Sequence, residues 1–169
     1  MEGKELLMDW TSIRNYQDKP VDQEKLGRIL EAGARAPSAK NRQPWRFIVV
    51  RKKDVIEKIQ QAAYGEEHVG KAPVIIAACT TNIDYRMPNG QLSYPIDLSF
   101  SVSFMMIQAR MEGLGSCIVT TYDEKEVKEL LTVPFSMRVV MLLLIGYADE
   151  QPLKRERKPF NQTIAHEHW

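Results

Sequence analysis

Residues 37–45 read Pro37-Ser38-Ala39-Lys40-Asn41-Arg42-Gln43-Pro44-Trp45. Proline fixes φ and lacks an N–H, so a stretch bounded by Pro37 and Pro44 is a loop rather than helix or strand. It is richer than a connector needs to be. Ser38 and Asn41 bring hydrogen-bonding groups between rigid prolines, and Trp45 brings an aromatic anchor. Taken alone, these residues suit an ordered structural loop and a ligand-holding loop equally.

Upstream of the loop, Asp22 is a good N-cap for a helix to about Ala34, with Leu26, Ile29, Leu30 and Gly33 on one face. Residues 4–9 can start a shorter helix. Downstream, residues 47–50 are strand-like, and Asp54 caps a second helix with Val55, Ile59 and Ala62 or Ala63 inward. Pro73 introduces a fully apolar strand at 74–79, and residues 86–90 form a loop. Pro95 and Asp97 then open a long helix to about Glu112. Leu98, Val102, Met105, Met106 and Ala109 make it apolar on most sides, and Gly113 and Gly115 stop it. A strand at 116–121, a helix capped by Asp123 and ending near Leu131, and a strand at 138–147 follow. Interleaved helices and strands predict a mixed domain of α/β or α+β type spanning residues 1–169. The polar tail, 150–169, cannot build a core of its own and must lie on the domain or on a partner subunit.

The chain has 169 residues, enough for one hydrophobic core. Its 23 cations against 22 anions leave a net charge of +1, so no global field favours nucleic acid and any anion site is local. The histidines, His68, His166 and His168, do not have metal-ligand spacing, and Cys79 and Cys117 sit in apolar runs that predict buried thiols. The longest apolar run, 139–146, is too short to cross a bilayer as a helix, and the charged start lacks a secretory core. A soluble, cytoplasmic protein is expected, with no membrane or nucleic-acid partner.

Other segments carry potential chemistry. Ser12-Ile13-Arg14 supplies a hydroxyl and a guanidinium, although Arg14 alone reads more plainly as a surface ion-pair residue. Gly113-Leu114-Gly115 is not a dinucleotide fingerprint, because its glycines end a helix and the third glycine is missing. In the run 154–158, Arg155 and Arg157 alternate and can form a two-armed anion clamp, against the plainer reading of a solvated tail.

Together, and in this order, these segments resemble the nitroreductase family over nearly the whole chain. The family's Pro-Ser-x-x-Asn-x-Gln-Pro-Trp loop matches residues 37–45 closely and is the most specific element. An Arg-x-Ser-x-Arg/Lys segment corresponds to Trp10-Thr11-Ser12-Ile13-Arg14. The Gly-Leu-Gly strand corresponds to 113–121. The closing Gly-Tyr, acid and basic pair correspond to Gly146-Tyr147, Asp149 or Glu150, Arg155-Glu156-Arg157 and Pro159.

The resemblance implies a central, mostly antiparallel sheet flanked by helices, an intertwined homodimer with the tail around the partner, and FMN at the dimer interface. Ser12, Arg14, Arg155 and Arg157 would hold the phosphate and ribityl chain, while Pro37, Ser38 and Asn41 would come from the other subunit. Thr120 and Thr121 would stand beside the redox edge, their backbone N–H groups or the Thr120 hydroxyl donating to flavin N5. Arg14 would also stabilise negative charge near N1. NAD(P)H and then a nitroaromatic, quinone or similar acceptor would use one pocket in ping-pong order, without a protein nucleophile or general base. A dehalogenase-like enzyme with Thr120 at N5, and a flavin-binding protein with little turnover, are the alternatives. Trp10 motivates the last, since it stands where the family has arginine; losing one charge-assisted contact costs roughly 1.5–3 kcal/mol unless Arg155 and Arg157 compensate.

Overall fold

The structure is a computed structural model that describes residues 7–151 and 156–168. Four strands form one antiparallel sheet in the order β1-β2-β4-β3: β1 Trp45–Val50, β2 Val74–Thr80, β3 Gly115–Val119 and β4 Arg138–Gly146. Every residue of β2 is buried and all but Thr80 are apolar, and alternation sends its side chains to opposite cores. Val74, Ile76 and Ala78 join one core with Leu26, Ile29, Leu98, Val102 and Met105. Ile75, Ala77 and Cys79 join the other with Ile56, Ile59, Val127, Leu142 and Leu144.

Helices cover both faces. On the first lie α1 (Gln23–Ala34) and α4 (Ser93–Met111), on the second α2 (Lys53–Ala62) and α5 (Glu124–Leu131), with the short α3 (Glu67–Lys71) following α2. Asp22 caps α1 as expected, its carboxylate accepting from the Glu24 and Lys25 N–H groups, and Asp123 caps α5 by accepting from Glu126 N–H. The fork of Arg28 grips Glu112, with Nε–Oε1 at 2.7 Å and Nη2–Oε2 at 2.9 Å, tying α1 to the end of α4. That guanidinium holds the Glu112 carboxyl down to about 2. Burial pushes the Cys79 thiol up to about 11 and the Cys117 thiol upward too, so both behave as buried, unreactive thiols.

Several boundaries depart from the sequence reading. Asp54 is inside the first turn of α2, whose N-cap is Lys52, and Ile56 joins Ile59 and Ala62 in the core with Val55 packed half-buried against it. α4 begins at Ser93, ahead of Pro95 and Asp97. β3 ends at Val119, which leaves Thr120 and Thr121 exposed beyond it. Of the helix expected at 4–9, Leu7 and Met8 are helical and the earlier positions lie outside the described residues.

Two glycines of α1 give opposite predictions. A Cβ on the exposed Gly27 would meet nothing within 4 Å. Gly27→Ala should therefore raise stability by ~0.5–1 kcal/mol through helix entropy. A Cβ on Gly33 would stand 2.7 Å from Met105 Cγ, which is fully buried in α4. Gly33→Ala should cost ~1–3 kcal/mol by forcing the helices apart. Thermal denaturation should move in opposite directions for the two variants, and a rise for both would refute the close α1–α4 contact.

Candidate cofactor site

Residues 13–17 form an extended segment fastened on both sides. Ile13 N–H donates to Ser116 O at 3.0 Å in β3, Gln17 N–H to Tyr147 O at 2.9 Å, and Asp149 N–H to Asn15 O at 3.0 Å. Tyr16 pairs with Ala148 as an antiparallel bridge, and its buried hydroxyl donates to Ile13 O at 2.6 Å. The Glu150 carboxylate accepts from the N–H groups of Arg14 and Asn15, so of the two acids considered from sequence it is Glu150 whose side chain fastens the segment. Close packing requires Gly115: a Cβ there would stand 2.7 Å from Ile13 Cβ. Gly113, at φ +76°, ends α4 in the left-handed conformation, so the two glycines of Gly-Leu-Gly serve different needs.

This anchoring presents Ser12 and Arg14. Ser12 lies by the Cys117 thiol and, with Arg14, opposes the upward push of burial on it. Arg14 is exposed, its guanidinium has no hydrogen-bond or ion-pair partner among the described residues, and it lines a cleft of about 540 Å³ with Asn15, Glu66, Glu67, His68, Lys71 and Glu150. His68 Nδ1 lies 3.3 Å from Glu66 Oε2. Burial lowers the His68 pKa, with Arg14 adding to the shift and Glu66 opposing it, so the imidazole is neutral at neutral pH. Sequence reading passed over His68 and Lys71. Only the fold of 63–72 back along α2 brings them to Arg14, and no local motif marks them.

At residue 10 the half-buried Trp10 sits among cations. The Arg110 guanidinium is 5.7 Å from its ring and donates to Asp9 O at 2.9 Å, and Arg157 Nη2 is 3.5 Å from Trp10 O. The corner lacks the expected side-chain cation but draws guanidinium groups from α4 and from the tail. Arg155, the other arm of the expected clamp, lies outside the described residues.

The loop at 37–45 stands elsewhere. It contains a 3₁₀ turn, Ala39–Asn41, and left-handed Lys40, Asn41 and Gln43. Ser38 Oγ accepts from Gln43 N–H at 3.0 Å, and Asn41 Oδ1 accepts from Gln43 Nε2 at 3.1 Å, so both expected ligand residues also brace the loop. Pro37 is exposed, while Pro44 and Trp45 are buried. Trp45 pairs with Thr80 at one end of β2, whereas residues 13–17 adjoin Tyr147 and Ala148, beyond the end where Val74 pairs with Ile145. β2 has seven residues, so the two ends are about 20 Å apart. Within one chain the loop and Arg14 do not meet. Thr120 and Thr121 precede Asp123, whose N–H donates to Ala62 O at 2.8 Å at the end of α2. Among the described residues no His/Cys/Asp/Glu group can hold a metal ion, and no helix is long and apolar enough to cross a membrane.

Comparison with known proteins agrees with this architecture. The sequence profile of the nitroreductase family matches residues 7–67 and 62–147. The crystal structure of a nitroreductase family protein from Clostridium difficile 630 superposes with a TM-score of 0.88 at 32% identity, covering 100% of each chain. An FMN-dependent nitroreductase from Clostridium difficile R20291 gives 0.86 at 28%, covering 97% of this chain and 98% of that one. An FMN reductase [NAD(P)H] of Bacillus subtilis is 29% identical over 95% of this chain and 71% of its own length. The fold is that of the α+β nitroreductase architecture. The chain belongs to the nitroreductase family.

Glu150 offers a check on how the site segment is held. Glu150→Ala removes the acceptor of two N–H groups and should cost about 1 kcal/mol. The amides of Arg14 and Asn15 should exchange hydrogen faster, while those of β2 should change only with global stability.

Proposed function

We propose that the protein is an FMN-dependent oxidoreductase that takes hydride from NAD(P)H and passes it to a nitroaromatic, quinone or similar acceptor. The observation that carries this reading is the cleft at Arg14, where an anchored backbone presents an exposed guanidinium without a hydrogen-bond or ion-pair partner among the described residues, in a chain of this family. The donor set suits FMN. Arg14 and Lys71 are cations fitted to the pyrimidine edge, where negative charge gathers on reduction, and neutral His68 supplies a ring nitrogen as donor or acceptor. Arg157, with Arg155 two positions before it in sequence, suits a phosphate that carries about two negative charges. FMN, when bound, supplies the hydride chemistry. The chain's own work is to orient it, balance its charge and leave one face open to each substrate in turn. Thr120 and Thr121, exposed past β3, have N–H and hydroxyl groups available to orient a ring nitrogen.

The 20 Å separation along β2 explains why we propose a homodimer. α4 exposes an apolar stripe, Phe100, Phe104 and Met111, that a second copy would cover. With the two-fold axis perpendicular to α4, the paired helices run antiparallel, which sets the start of one α4 against the end of the other. Asp97, near the start of α4, holds the loop, and Arg110, near its end, adjoins Asp9 and Trp10. Pairing two copies this way carries Pro37, Ser38 and Asn41 of one toward Ser12 and Arg14 of the other. The described tail, 156–168, is exposed throughout, Phe160 at 80%, consistent with a tail that packs on a partner.

The purified protein should bind FMN and catalyse oxidation of NADH or NADPH with a nitroaromatic acceptor. Arg155→Ala combined with Arg157→Ala should weaken FMN by ~10- to 100-fold, the effect of losing charged hydrogen bonds worth 1.5–3 kcal/mol, without lowering the melting temperature of the apoprotein. Flavin fluorescence titration reads the first and thermal denaturation the second. Unchanged FMN affinity in the double variant would refute the phosphate assignment, and a flavin-loaded protein without NAD(P)H turnover would refute the enzyme reading.

A further inference from the structure

Asp97 is a carboxylic residue where an apolar one would be expected. It is 1% exposed, on the face of α4 that carries Leu98 and Val102 into the core. Its Oδ1 accepts from Ala39 N–H at 2.7 Å, while Oδ2, like the hydroxyl of Ser93 one turn earlier, is buried with no partner among the described residues. A buried carboxyl with a single hydrogen bond is an expensive way to fill space, so its presence is explained by what it holds. It holds the middle of the loop at 37–45.

That loop needs holding. Lys40, Asn41 and Gln43 have φ of 53°, 53° and 49°, a region that L side chains seldom adopt. Asn41 N–H donates to Ser38 O, Arg42 N–H to Ala39 O, and Gln43 N–H to Ser38 Oγ. These bonds run from loop to loop, so they define its shape and not its place. On the outside, the Arg42 guanidinium rests 4.0 Å over the Tyr85 ring, an exposed contact. On the inside, the tie is the Asp97 carboxyl.

We propose that Asp97 is a positioning residue for the cofactor: by holding Ala39 N–H it sets where Ser38 and Asn41 stand, and so governs FMN affinity without touching FMN. The proposal rests on the flavin reading above. Ala39 offers a way to separate positioning from packing. Ser38, at φ −145° and ψ 157°, already has the backbone that precedes proline, and Ala39 opens the 3₁₀ turn. Proline at 39 would therefore restrict the loop without any hydrogen bond to residue 97.

The test measures the FMN dissociation constant by flavin fluorescence and the melting temperature of the apoprotein for four proteins: the parent, Asp97→Asn, Asp97→Ala, and Asp97→Ala with Ala39→Pro. Asparagine keeps an acceptor oxygen, so its FMN affinity should stay within about threefold of the parent. Asp97→Ala should weaken FMN by about tenfold or more at temperatures where the apoprotein is folded, the scale of a lost buried hydrogen bond. The added proline should recover a substantial part of that loss. If Asp97→Ala does not fold, Asp97→Leu, which refills the space, takes its place in the same comparison. An alanine or leucine variant that binds FMN like the parent overturns the proposal. So does a loss that follows the melting temperature and is untouched by proline at 39. A parent that takes up no FMN sinks the flavin reading and this proposal with it, whereas a parent that binds FMN beside an equally competent Asp97→Ala protein sinks this proposal alone.

Discussion

The central strand β2 is the constraint on which the rest depends. It is buried on both faces and hydrogen-bonded on both edges, so its length and direction are not negotiable. Everything attached to its Thr80 end, the loop with Ser38 and Asn41, is kept about 20 Å from everything near its Val74 end, the anchored segment with Ser12 and Arg14. A site that uses both sets of residues cannot be assembled by one chain. The apolar stripe on α4 supports the proposed pairing with a second copy, because Phe100 and Phe104 are costly to leave in water.

Much of the fold was legible in the sequence because it is governed locally. Asp22 and Asp123 cap helices with their own side chains, Gly113 takes the left-handed turn it alone tolerates well, and the unbroken apolar run at 74–79 is a strand buried on both faces. The reading failed where a distant group claimed a residue first. Asp97 resembles a helix cap in sequence, but its carboxyl is taken by Ala39, 58 positions away, and α4 starts earlier. Ser38 and Asn41 suit a structural loop and a ligand-holding loop equally in sequence, and each spends an oxygen on Gln43 within the loop. His68 and Lys71 were invisible because neither belongs to a motif, and the role of Glu150 was undecided because Asp149 stands next to it.

The departure at Trp10 has a structural context that composition could not supply. Arg110 and Arg157 both reach the backbone of residues 9 and 10. Positive charge at this corner is thus carried by long side chains arriving from α4 and from the tail rather than by the extended segment itself. Guanidinium groups delivered from two separate elements depend on those elements being in place, so the corner is coupled to the position of the tail. In the proposed dimer, that coupling would tie phosphate affinity to the same pairing of chains that brings the loop to the site.

Subunit complementation tests the shared site most directly. One chain would carry Arg14→Ala and the other Ser38→Ala with Asn41→Ala, each expected to bind FMN weakly alone. Co-expressed and randomly paired, half of the dimers contain one chain of each kind. In such a dimer one site collects both lesions and the other is intact. About a quarter of all sites should therefore recover parental FMN affinity, as two-fold symmetry requires. No recovery on mixing, from two chains that pair with each other, would mean that each chain builds its site alone and would contradict the account.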